Sequence, residues 1–168
     1  MTKKVYLQPY HCLGCEECVE ACAKEHGWES NSHVHWVDTV YPVSLRCFQC
    51  EDPPCMRVCP VDAIKMSKDY GVQVDSRVCI GCGSCVLACP FGIPKINSSS
   101  GKMVKCDLCI DRQKEGKLPA CVENCPYGAL VLTDFEDVKM EKREVTARRM
   151  VEAGTYLRDV IDTIKEGC

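Results

Sequence analysis

The chain has 168 residues, a formal charge of −3 at pH 7 and 17 cysteines, a cysteine share beyond the level at which composition alone signals cross-linked or metal-held structure. The 46 % apolar content counts those cysteines, and without them it falls to roughly 36 %, thin for a conventional core, so metal centres are expected to serve as core. No basic stripe and no long apolar run occurs, which leaves neither a nucleic-acid partner nor a membrane-spanning helix with any support.

In chain order, residues 5–7 predict a short strand that leads into the first cysteine group, Cys12, Cys15, Cys18 and Cys22. Residues 19–26 have helical composition, and Gly27 ends that helix. Over 34–45, Val34, Trp36 and Val40 fall at even positions, the alternation of a half-buried strand whose pairing Pro42 limits. The second group follows: Cys47, Cys50, Cys55 and Cys59, then Pro60. Residues 63–66 and 72–74 flank the turn-rich Asp69, Tyr70 and Gly71 and predict a hairpin. The third group is Cys79, Cys82, Cys85 and Cys89, then Pro90, and residues 97–101 read as a polar surface loop. The fourth is Cys106, Cys109, Cys121 and Cys125, then Pro126, with another short strand at 130–132. Residues 136–165 are charged and free of proline. Met150, Val151, Leu157, Val160, Ile161 and Ile164 recur there at three- and four-residue steps, which predicts one amphipathic helix, or two interrupted near Gly154.

The first and third groups read C-x2-C-x2-C-x3-C, and the second and fourth lengthen one gap without losing a cysteine. Three thiolates at two-residue intervals converge in a loop on three irons of one cube, and the fourth, followed by proline in three of the groups, turns outward to ligate a neighbouring cluster. Sixteen occupied positions predict four [4Fe-4S] clusters and leave only Cys168, expected to be a frayed terminal thiol. Zinc would use such C-x2-C pairs, but the third cysteine and the C-x3-C-P tail are superfluous for a tetrahedral site. Disulfides suit a secreted chain; residues 1–8 show no apolar signal core and no twin arginine, so the chain reads as cytoplasmic. With sixteen thiolates and four oxidised cubes the formal charge becomes roughly −11. An iron-free chain is expected to be largely unfolded.

The runs HCLGCEECVEACAKEH, RCFQCEDPPCMRVCP, CIGCGSCVLACPFGIP and KCDLCIDRQKEGKLPACVENCPYGAL resemble the four-cluster ferredoxin-like electron-transfer subunits of molybdenum, tungsten and nickel oxidoreductases. The resemblance covers about residues 5–132. It implies an α+β fold of two fused bacterial-ferredoxin-like lobes with pseudo-twofold symmetry, with short strands and helices around four clusters. Carried over by position, Cys12, Cys15 and Cys18 join Cys125, and Cys106, Cys109 and Cys121 join Cys22. Likewise Cys47, Cys50 and Cys55 join Cys89, and Cys79, Cys82 and Cys85 join Cys59. The chain lacks the long insertions of nitrate and dimethyl sulfoxide reductase subunits and looks more like the small subunits of tungsten aldehyde oxidoreductases, tungsten benzoyl-CoA reductases and carbon monoxide dehydrogenase.

The implied role is non-catalytic. Single electrons would pass between a catalytic oxidoreductase subunit, with a tungsten- or molybdenum-pterin, and an external donor or acceptor protein. The alternatives are a free-standing polyferredoxin and a partner of a carbon monoxide dehydrogenase or hydrogenase. No catalytic triad or phosphate loop stands out. The expected domains are a cluster module over 1–135 and a helical extension over 136–168, offered to a partner. His11, His26, His33 and His35 are expected to have surface or packing roles, and Lys105 to face solvent. Trp28, Trp36 and Tyr41 are expected to pack the link after the first group, with a partner interface as the alternative.

Overall fold

The computed structural model describes the backbone of residues 3–166 and the side chains of residues 3–154. It forms two compact units, Met1–Thr133 and Asp134–Cys168. Among its described residues the first has four two-stranded antiparallel pairs, five short α-helices and a 3-10 turn at Pro9–His11. β1 (Lys4–Leu7) and β8 (Leu130–Thr133) are its first and last strands, and they pair with Val5 opposite Leu132 and Leu7 opposite Leu130. Two ends of the module more than a hundred residues apart in sequence are thereby stitched together.

The expected strand over 34–45 is a hairpin, β2 (His33–Val37) and β3 (Tyr41–Leu45). Asp38 and Thr39 both take positive φ, 50° and 57°, as a tight hairpin turn requires. Pro42 stands opposite Trp36 in that register, and a two-stranded pair has open edges on which a missing N–H is tolerated. Trp28, Trp36 and Tyr41 are all exposed, although the Trp36 ring shields Gly14. The hairpin expected around residues 69–71 is β4 (Ile64–Ser67) with β5 (Gly71–Val74), Ile64 facing Val74. The polar loop over 97–101 turns a further hairpin that the sequence does not announce, β6 (Lys95–Ile96) with β7 (Met103–Val104).

The helices are α1 (Glu17–Glu25), α2 (Pro54–Arg57), α3 (Ser84–Ala88), α4 (Ile110–Lys114) and α5 (Ala120–Glu123). They correct the expectation that each cysteine triplet lies wholly in a loop. Cys18, Cys55, Cys85 and Cys121, the third cysteines, all sit within helical turns.

Two small cores result, and cysteine belongs to both. In one, Cys55, Cys79 and Cys85 pack with Ala63, Ile64, Val72 and Met103. In the other, Cys18 and Cys121 pack with Leu130, flanked by Val5, Leu7 and Val34. So little aliphatic surface cannot offset the entropy of ordering more than a hundred residues. The described residues of the second unit form one helix, α6 (Phe135–Glu166), continuous through Gly154. At 32 residues it is about 48 Å long. Cys168 lies outside the described residues, as do the side chains of Leu157, Val160, Ile161 and Ile164.

Candidate iron–sulfur centres

One backbone feature recurs in all four groups. The residue two places after the first cysteine takes positive φ: Gly14 at 72°, Gln49 at 49°, Gly81 at 69° and Leu108 at 62°. This left-handed step turns the chain so that the next thiol points back beside the first. Glycine supplies it without strain in the first and third groups. In the second and fourth the strain falls on side chains that are almost wholly buried, Gln49 and Leu108, and their packing offsets a cost of about 1–2 kcal/mol each.

The thiols gather as follows. One hollow is bordered by Cys12, Cys15, Cys18 and Cys125, a second by Cys47, Cys50, Cys55 and Cys89, and a third by Cys79, Cys82, Cys85 and Cys59. The volumes are similar, 320, 370 and 320 Å³ with their open mouths. In each, three thiols come from one group and the fourth from another. The walls are largely apolar, with Leu7 and Leu130 in the first, Phe48 and Phe91 in the second and Ile64 and Met103 in the third. For the fourth group, α1 packs on α5 and sets Cys22 close enough to Cys109 and Cys121 to act on both thiols.

Donor chemistry fits thiolate-ligated clusters. The Ala63 N–H donates to Cys59 Sγ at 3.3 Å, and the Ala129 N–H donates to Cys125 Sγ at 3.2 Å, each four residues beyond its cysteine in a C-P-x-x-A run. Asn31 and Met103 likewise donate to Cys22 and Cys79 at 3.3 and 3.4 Å. Such N–H···S bonds stabilise charge on sulfur. Without iron, burial favours the protonated thiol at Cys50, Cys55, Cys85, Cys106, Cys109 and Cys121. Burial pushes Cys109 up to about 12 and Cys121 up to about 11, raises Cys106 too, and leaves exposed Cys82 to be lowered by its hydrogen bond with Ser84.

Four side chains near these thiols make contacts that the sequence does not announce, and Lys105 contradicts its expectation. Lys105, expected in solvent, is 5 % exposed. Its ammonium donates to the carbonyls of Val72 and Cys106 and borders the hollow of the second group. His26, expected to be a surface or packing residue, places Nε2 3.6 Å from Cys109 Sγ and 3.6 Å from Asp107 Oδ1. Arg46 is 4 % exposed and binds Ser44, whose hydroxyl lies 3.4 Å from Cys18 Sγ. Gln49 ties the Val72 N–H to the Cys106 carbonyl, at 2.8 and 3.0 Å. All four depend on contacts across 26 or more residues, or on partners that do, and no local pattern marks them.

Residues 38–135 match the 4Fe-4S dicluster domain, and residues 9–25 match a 4Fe-4S binding domain. Among similar proteins are the B subunit of the anaerobic dimethyl sulfoxide reductase of Escherichia coli, 36 % identical with 84 % of this protein and 78 % of that one covered, and an iron-sulfur protein of Rhodospirillum rubrum, 35 % identical with 92 % and 94 % covered. The corresponding B subunit of Haemophilus influenzae is 33 % identical, with 80 % and 75 % covered. The protein thus belongs to the 4Fe-4S dicluster family, as a non-catalytic electron-transfer protein that binds [4Fe-4S] clusters.

Proposed function

We propose that this protein is the electron-transfer subunit of an oxidoreductase whose catalytic subunit carries a molybdenum- or tungsten-pterin. Four [4Fe-4S] clusters would be held by all sixteen cysteines of the four groups, in the sets Cys12/Cys15/Cys18/Cys125, Cys22/Cys106/Cys109/Cys121, Cys47/Cys50/Cys55/Cys89 and Cys59/Cys79/Cys82/Cys85. The exchange of fourth cysteines makes two ferredoxin-like lobes, one of the outer groups and one of the inner pair, related by a pseudo-twofold axis. Each cluster supplies one-electron chemistry.

The sulfur-to-sulfur neighbours support a linear order. Cys18 of the first-group set acts on Cys121 of the fourth and packs with it in one core, and Cys47 of the second acts on Cys106 of the fourth. Cys55 shares a core with Cys79 and Cys85. The order is therefore first group, fourth, second, third. The observation that carries the reading is where this line is open: among the sixteen described cysteines only Cys15 and Cys82 are exposed, and they belong to the two end centres. A relay needs accessible ends and a covered middle.

The cluster module is assigned to residues 1–135 and a partner-docking extension to residues 136–168. The protein is assigned to the cytoplasm, where thiols stay reduced, and among the described residues no helix is long and apolar enough to cross a membrane. Native purification tests the reading. A stable complex with a larger subunit containing molybdenum or tungsten is expected; a chain that elutes alone, brown and free of either metal, would instead be a free-standing polyferredoxin.

A further inference from the structure

Lys105 and Arg46 are buried cations, and among the described residues neither forms an ion pair with a carboxylate. A cation withdrawn from water without a counter-charge is strongly disfavoured. Their hydrogen bonds do not account for them. Lys105 bonds the carbonyls of Val72 and Cys106, but neutral Gln49 already clamps the same two residues from the side. Arg46 is less satisfied still, with a buried Nε that meets no acceptor.

Both cations lie among cysteines. Lys105 lines the hollow of Cys47, Cys50, Cys55 and Cys89 and its ammonium donates to the carbonyl of Cys106, residues that the proposed wiring assigns to the second- and fourth-group centres. The guanidinium of Arg46 donates to the Ser44 hydroxyl, which lies 3.4 Å from Cys18 of the first-group centre, and Cys18 packs in one core with Cys121 of the fourth. Near the third-group centre, Lys102 bonds the Cys79 carbonyl but is partly exposed, where water screens its charge. Four thiolates around an oxidised cube leave a net negative charge that deepens on reduction. A fixed cation beside such a centre favours the reduced state.

We propose that Lys105 and Arg46 are fixed counter-charges at two joints of the cluster line, Lys105 between the second and fourth centres and Arg46 between the first and fourth. They raise the reduction potentials of the centres they adjoin. This rests on the ligand sets proposed above. Iron analysis separates the two, because a wild-type chain without about four irons per group of cysteines refutes the wiring before any variant is made.

The test is a potentiometric titration of the iron-loaded protein, followed by electron paramagnetic resonance. Lys105→Met and Arg46→Met should each lower at least one midpoint, so that the reduced-to-oxidised ratio at fixed potential falls at least tenfold, which is about 59 mV for one electron. Lys105→Arg and the exposed control Lys65→Met should leave that ratio within about threefold. A methionine variant with every midpoint unmoved overturns the proposal for its joint, as does a shift in Lys65→Met equal to that in Lys105→Met. Should Lys105→Met fail to load iron while Lys105→Arg loads with native midpoints, the charge is what matters and the proposal stands. Failure of both makes Lys105 a packing residue and overturns it.

Discussion

Gly81 and Gly83 flank Cys82 and both take positive φ, 69° and 78°, yet their surroundings differ. A Cβ on Gly81 would run into the carbonyl oxygen of Gly101, whereas one on Gly83 meets nothing. Gly83→Ala should therefore cost only the left-handed strain, about 1–2 kcal/mol in thermal melts of loaded protein, and keep the third-group cluster. Gly81→Ala should lose that cluster's resonance signal, since backbone cannot swing aside as a side chain can. Titration gives a second residue-scale expectation. Burial raises the thiols of Cys121 and Cys109 to about 11 and about 12, so holding either as a thiolate in the fold is unfavourable unless iron takes the charge. Ligation needs the thiolate, so iron loss to a chelator should slow from about pH 6 to about pH 8. The cysteines themselves were legible because their spacing is local. Lys105 was not, because its burial is made by β5 and the second-group loop, which its neighbours in sequence do not announce.

Among the elements, α4 and α5 carry the long gap of the fourth group, and one side chain secures it. Arg112 bonds Glu25 of α1 at 3.0 Å, Glu123 of α5, and the Leu118 carbonyl at 2.9 Å. Its side chain is 19 % exposed, so the network is only partly screened. Arg112→Ala should destabilise the fourth-group centre by about 1–2 kcal/mol, read as a rate of iron release several-fold above wild type. The proposed docking role of α6 has its own test. Truncation after Phe135 should leave iron content unchanged and abolish co-purification with the large subunit; a truncated chain that still assembles places the docking surface elsewhere. The β4–β5 hairpin and α6 were readable from turn residues and from apolar periodicity. Helices of four or five residues such as α2, α3 and α5 were not, since one turn is too short to show a period. The two-residue strands β6 and β7 likewise show no alternation.

For the whole molecule, the meeting of the outer groups is the long-range feature on which the first hollow depends. It follows from the β1–β8 pair, whose Leu7 and Leu130 border that hollow. The family resemblance implied this closure, while the strand signals alone gave two isolated short segments. Val131, opposite Tyr6, tests it: Val131→Pro should weaken the pair and cost the first- and fourth-group signals while the inner two persist. The cluster order was beyond the sequence, because it depends on Cys106 lying near Cys47 and Cys121 near Cys18. All of this converges on the exchange of fourth cysteines between groups. The direct measurement is iron anomalous diffraction from crystals of the loaded protein. Four peaks are expected, each enclosed by three sulfurs of one group and the fourth of its partner, Cys125 with Cys12 and Cys59 with Cys79. Peaks enclosed by the four cysteines of a single group, or fewer than four peaks, would contradict the wiring.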